Sequence, residues 1–171
     1  MKVLGVDLAA YPKNSTGVCI LKNNQIVLKT VKTDKEILDN ISEVKPVLVA
    51  IDAPIMDSKP HMRKADGELK KYGALSPALP GMKTLTLRAS RLVKKIDKPK
   101  VIEVFPTATQ KIIGVYNKDY RVAAKQMNVS PNNKHEFDAY ICSVTGKLFL
   151  QGKTVEVGDE NGKIVLPSKE L

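Results

Sequence analysis

The sequence predicts an α/β domain in which a mixed sheet is covered by helices. Three observations carry this reading. Apolar, β-branched runs crowd the front of the chain, at Val3–Leu8 and twice within "STGVCILKNNQIVLKTVKT". Two later strand-like runs, "VLVAID" and "KVIEVF", alternate with helical patterns. Strands at the front with alternation behind them indicate a mixed sheet flanked by helices. The length of 171 residues suits one domain with a real core. A single domain over 1–171 is expected, closed by a small hairpin at 152–167.

Each element has a local cause. The two runs after Val3–Leu8 meet at Asn23-Asn24, because Asn tolerates the positive φ of a tight turn. "TDKE" opens a helix, with Thr33 as cap and Glu36 completing a capping box. Ile37, Leu38 and Ile41 fall on one side of it. Pro46 restarts the chain, and "VLVAID" ends at Asp52. The Pro- and Gly-punctuated stretch that follows reads as loop with a short helix from about Arg63 to Tyr72. "TLTLRASRLVKKI" is helical, with Leu85, Ala89, Leu92 and Ile96 as its core stripe. Arg88, Arg91 and Lys95 lie along a different side as a basic face. Short helices are expected around Thr107–Gly114 and Asp119–Asn128. "PNNKHEFDAYICSVTGKLFL" is a long helix capped by Asn132 or Asn133, with Phe137, Ile141, Val144 and Leu148 as its apolar stripe. The terminal hairpin turns at Asp159–Gly162.

The formal charge is +10, from 28 Lys and Arg against 18 Asp and Glu. An excess of that size favours a polyanionic partner, nucleic acid first. The alternative is a lysine-rich solvated surface of the kind found in thermophiles. No stretch approaches the roughly 18 apolar residues that span a bilayer. The N-terminus reaches an Asp too early for a signal peptide, so the cytoplasm is the expected compartment. Cys19 and Cys142 lie in apolar contexts and read as buried free thiols, too few for a cysteine zinc site.

The chemistry concentrates in acids placed where acids are costly. Asp7, Asp52 and Glu103 sit in or at the ends of apolar strands. A buried carboxylate costs several kcal/mol unless it is paired, hydrogen-bonded or bound to a metal. Asp138 lies in the late helix, with His135 three positions before it on the same face. Taken singly, a strand-end Asp is a cap or turn residue and Glu103 an edge-strand surface residue. Together, Asp7 and Asp52 occupy the carboxyl ends of strands, where open sheets place ligands. Carboxylates converging without matching cations repel one another. Mg²⁺ or Mn²⁺ relieves that repulsion, being a hard ion that prefers carboxylate oxygens. Two such ions about 3.5–4 Å apart are a device for phosphoryl transfer. The expected metal ligands are therefore Asp7, Asp52, Glu103 and Asp138, and the expected catalytic group adds His135.

The order of an Asp on the first strand, two hairpin strands, a helix, an Asp on the fourth strand and a late-helix Asp resembles the ribonuclease-H-like fold. The motifs "GVDLAA", "NSTGVCIL", "AIDAPI", "RKAD", "VIEVFPTA", "HEFDAY" and "GDENGKIVLP" are similar, in that order, to the predicted-nuclease family known as domain of unknown function 429. The resemblance covers nearly the whole chain. It implies a central five-stranded mixed sheet with the second strand antiparallel to the rest, and a metal-dependent nuclease-like site. By position, Asp7 matches the first-strand acid, Asp52 the fourth-strand acid and Asp138 the acid of the last helix, while Glu103 matches the "EVFP"-type segment. The His135-to-Asp138 spacing resembles the late-helix pattern of some Holliday-junction resolvases. The ribonuclease H pattern also puts a Glu on its first helix. Here Glu36, Asp39 and Glu43 are on offer, and Glu103 could substitute from a neighbouring strand.

The remaining residues have two readings each. Arg63, Asp66 and Glu68 either position a phosphate or reach the metal, or they form local ion pairs on a solvated helix. His61 reads as a loop residue and Glu136 as surface. Arg63, Asp66, Arg88 and Arg91 are the candidate substrate-binding residues, the arginines of the basic face tracking a phosphate backbone. The expected function is divalent-metal-dependent hydrolysis of phosphodiester bonds in DNA or RNA. The alternatives are a nucleic-acid-binding module with a vestigial site and a nucleotide- or phosphoester-binding protein. Acetate- and sugar-kinase-type ATPases also begin "G-x-D", but "DLAAYPKNSTG" lacks the Gly cluster such phosphate loops use.

Overall fold

The computed structural model of the chain describes residues 1–57 and 59–169. Its strands are β1 (Lys2–Asp7), β2 (Thr16–Lys22), β3 (Gln25–Val31), β4 (Leu48–Asp52), β5 (Lys100–Val104), β6 (Thr154–Asp159) and β7 (Gly162–Pro167). Its helices are α1 (Asp34–Val44), α2 (Lys64–Glu68), α3 (Pro80–Val93), α4 (Pro106–Ile112), α5 (Tyr120–Gln126) and α6 (Lys134–Leu150), with a 3-10 turn at Lys70–Tyr72.

The strands form one seven-stranded mixed sheet in the order β3-β2-β1-β4-β5-β7-β6. β2 runs antiparallel to β1 and β3, whereas β4 and β5 run parallel to β1. That five-strand part matches the expectation. The hairpin corrects it: β7 pairs in parallel with β5, through Glu103–Ile164 and Val104–Val165, and carries β6 with it. The hairpin extends the sheet because Ile164, Val165 and Leu166 are apolar enough to be buried beside β5. No helix among the described residues is long and apolar enough to cross a membrane.

Strand alternation sorts side chains to two faces. Leu4, Val6, Val49 and Ile51 pack with Ile37 and Ile41 of α1 and Ala89 and Leu92 of α3. Val3, Leu48, Ala50, Ile102 and Val104 face the other way, against Cys142 of α6. Thr33 and Glu36 close the predicted capping box. Pro80 starts α3 one turn earlier than expected, since its fixed φ suits a first helical position. Cys19 and Cys142 are buried free thiols, and burial pushes Cys19 up to about 12.

Asn133 caps α6 by accepting from the Glu136 amide. Helix α6 is more buried than its predicted stripe implies, with Ala139, Cys142, Ser143, Thr145 and Gly146 inside as well as Phe137 and Ile141. It lies hard against the sheet. A Cβ at Gly5 would stand 2.1 Å from the Ala139 carbonyl oxygen, and one at Gly17 1.9 Å from that of His135. Both clashes are with backbone, so no side-chain rotation relieves them. Gly5→Ala should therefore cost about 3 kcal/mol, the upper part of the overpacking range, measured by urea unfolding.

Candidate active site

The acids assemble through register. Asp7 and Asp52 are direct partners across the parallel β1–β4 pair, so both project from the same face at the same strand ends. Gly5 and Ala50, two residues earlier, are the small pair that lets α6 approach that face. Ala139 sits over Gly5 and Gly146 over Val3, so the helix runs antiparallel to β1. Its first turns, with His135 and Asp138, therefore lie over the two strand-end acids.

The contacts follow from that placement. His135 Nδ1 meets Asp7 Oδ2 at 2.7 Å. Asp138, 8% exposed, accepts from the Lys134 ammonium on Oδ2 and from Gln110 Nε2 on Oδ1 at 3.3 Å. No described residue donates a hydrogen bond to the Asp52 carboxylate. Burial holds its pKa well above the carboxylate range, and the charges of Asp7, Asp138 and Glu103 add to the effect. Burial likewise raises Asp138, against the opposing pull of Lys134. For His135, the hydrogen bond to Asp7 outweighs partial burial and raises the ring above its ordinary 6.5. A raised value means that the protonated ring favours the fold. That contribution is complete below the ordinary value and disappears as pH rises through the raised one. An NMR titration of the metal-free protein should thus place His135 above 6.5, and Asp7→Asn should bring it back down.

Glu103 leaves the sheet on the opposite face from these acids, although it lines one cavity with Asp52 and its charge reaches that carboxylate. It is in register with Ile51, not with Ala50 or Asp52, and so emerges on the opposite face of the sheet. There Arg63 grips it with two bonds of 2.7 Å, Nη1 to Oε2 and Nη2 to Oε1. The same guanidinium binds Asp66, Nε to Oδ2 at 3.0 Å and Nη2 to Oδ1 at 2.8 Å. The Arg63 side chain has no exposure at all. Burial raises Glu103 while the Arg63 hydrogen bonds oppose it. Arg63 and Asp66 are thus committed to this buried triad and are not placed on a solvent-facing surface. The Ile55 amide donates to Glu103 Oε2 at 2.9 Å, which ties the segment after Asp52 to β5.

Arg88 needs the same correction. It is buried, donating to Asp34 Oδ1 at 2.8 Å, the Ala9 carbonyl at 2.7 Å and the Lys32 carbonyl at 2.8 Å. It therefore fastens the loop after β1 and leaves the basic face to Arg91 and Lys95, which are exposed. Glu136 is buried too, accepting from Thr30 Oγ1 and from the Asn132 amide, both at 2.8 Å. Glu36, Asp39 and Glu43 are exposed on α1, the first two held by Thr33 and Lys35. Glu68 faces Lys64 at 3.7 Å, and His61 Nδ1 lies 3.0 Å from the Lys59 carbonyl.

Sequence reasoning missed Lys134 and Gln110. The first had a signal, since "KHEFD" places Lys134 four residues before Asp138, one helical turn away. Gln110 comes from α4 and had none.

In chemistry, though not in present geometry, the donors suit a hard divalent cation: Asp7, Asp52 and Asp138 lie close enough to feel one another's charge, and Asp52 has no donor among the described residues. Among the described residues, however, no group of three or more His, Cys, Asp or Glu side chains is placed so as to hold a metal ion. Two of the three acids are engaged instead by His135 and Lys134. A cavity of about 60 Å³ opens beside Asp52, and Glu103 and Asp66 line it too, with Leu75, Met82 and Phe105. A groove of about 700 Å³ lies elsewhere, between the hairpin and the Leu69–Tyr72 turn, and holds none of these acids.

No protein-family model matches the chain. No curated protein matches it either. The family resemblance therefore stands on the sequence motifs alone. Among solved structures the chain is similar to T. thermophilus RuvC in complex with Holliday junction substrate. The identity is 13%, the TM-score 0.55, and the match covers 89% of this chain and 96% of that one. At that identity the likeness is one of architecture: the chain has a mixed-sheet α/β fold similar to that of RuvC.

Proposed function

We propose that this chain is a divalent-metal-dependent nuclease that hydrolyses phosphodiester bonds of DNA or RNA in the cytoplasm. The observation that carries the reading is the placement of His135 and Asp138 over the register-paired Asp7 and Asp52. The fold likeness to a resolvase bound to a DNA junction and the charge of +10 support a nucleic-acid partner. Asp7, Asp52 and Asp138 would hold Mg²⁺ or Mn²⁺. The chemistry supplied by such an ion, when bound, is charge neutralisation and Lewis-acid activation of water.

The chain's own residues do the rest. His135 is 49% exposed and keeps Nε2 free of its contact with Asp7, so that nitrogen can take or give a proton at the attacking or leaving oxygen. Gln110 orients Asp138. Arg91 and Lys95 are exposed on α3, across the sheet from these acids, where they could meet phosphates of a bound strand away from the cut.

A cleavage panel tests this: single-stranded, duplex, hybrid and four-way-junction substrates, each with Mg²⁺, Mn²⁺ or EDTA, and with Asp7→Asn alongside. Metal-dependent cutting that vanishes in the variant is the expected result. Wild-type-level cutting by a folded Asp7→Asn overturns the site. Binding without cutting transfers the chain to the vestigial-module reading, and neither cutting nor binding to the nucleotide or phosphoester reading.

A further inference from the structure

Lys134 is the residue this reading leaves unexplained. Its side chain is 64% exposed, yet its ammonium turns inward onto a carboxylate that is 8% exposed. Ordinary surface lysines stay in water, where an exposed pair contributes little. Here the partner is nearly buried and two further acids stand behind it. Partial burial works against the Lys134 charge, but the bond to Asp138 and the fields of Asp138, Asp7 and Asp52 outweigh it.

The charge balance at the site is informative. Arg63 spends its charge on Glu103 and Asp66 on the other face of the sheet. Three carboxylates then remain on the α6 face, and Lys134 offsets one of them. On the α6 face alone, with all three acids ionised, two negative charges are left, the complement of one divalent cation. His135 contributes charge only when protonated, whereas a lysine is cationic at any pH near neutrality.

We propose that Lys134 is a built-in cation standing where a second metal ion would otherwise sit, so that the site takes one divalent ion, bound by Asp7 and Asp52. This rests on the metal-dependent reading above, sets its ion count at one and takes Asp138 out of the ligand set. The one-turn spacing of Lys134 and Asp138 makes the ammonium part of the same rigid helix as the acid it neutralises. The site is thereby spared the full mutual repulsion of three acids before any ion arrives.

The test counts ions and needs no substrate. Bound Mn²⁺ is measured by equilibrium dialysis with EPR detection of free Mn²⁺, on wild type, Lys134→Met, Lys134→Arg and Asp52→Asn, each checked for a wild-type circular dichroism spectrum. Should Lys134→Met fail to fold, Lys134→Gln replaces it. The expected result is one ion per wild-type chain, one in Lys134→Arg, two in Lys134→Met and none in Asp52→Asn. Two ions in wild type, or one ion of unchanged affinity in Lys134→Met, overturns the role of Lys134 and leaves the metal site standing. No Mn²⁺ sensitive to Asp52→Asn overturns both.

Discussion

Arg63→Met should lower the unfolding free energy by about 3–5 kcal/mol, the cost of breaking a buried ion pair from one side. Arg63 is fully enclosed and serves two carboxylates with four side-chain bonds. Removing it strands Glu103 and Asp66, which are 6% and 3% exposed. Methionine keeps much of the volume, so the loss reports charge and hydrogen bonding more than a cavity. Glu103→Gln should be milder, because Arg63 keeps Asp66 and the amide can still accept from Ile55. Urea denaturation with unchanged m-values measures both. A loss under about 1 kcal/mol in Arg63→Met would show that the triad contributes no net stability.

Asp52→Asn should act in two opposite directions. Metal-dependent cleavage should fall to background, since the variant removes the one acid with no donor of its own. Without metal, the same variant should melt at a higher temperature than wild type. The Asp52 pKa is raised, first by burial and then by Asp7 and Asp138, so its ionised form opposes folding. The stability of the protonated form is fully present below about 3.9 and is lost as pH rises through the raised folded value. Asparagine stays neutral throughout and has the same shape. The melting-temperature gap between Asp52→Asn and wild type in EDTA should widen with pH across that window. A gap that is flat or negative would mean that Asp52 is already compensated.

Much of this site can be read in the sequence because it obeys one-dimensional periods. Asp7 and Asp52 interrupt apolar runs at strand ends, and His135 and Asp138 are three apart on a helix. Glu103 interrupts an apolar run just as visibly. Which face it takes depends on register: Glu103 is opposite Ile51, which faces α1 and α3. Arg63, its partner, lies 40 residues away in a segment without periodicity. Arg88 falls outside the apolar stripe of its helix and reads as exposed. Only folding brings Ala9 and Lys32 close enough to enclose it. The hairpin was legible as a hairpin, but nothing in its own alternation says which strand it will join.

The glycine seam under α6 has a consequence for assembly in time. The seam belongs to the first strands, whereas the helix that covers it is made much later; Asp7 and His135 are 128 residues apart. Closing so distant a contact is entropically slow, so the rate at which α6 docks should dominate the folding kinetics. During synthesis the sheet face bearing Gly5, Gly17 and Ala50 emerges long before its cover. A nascent chain arrested ahead of α6 should therefore be sticky and a ready client for chaperones.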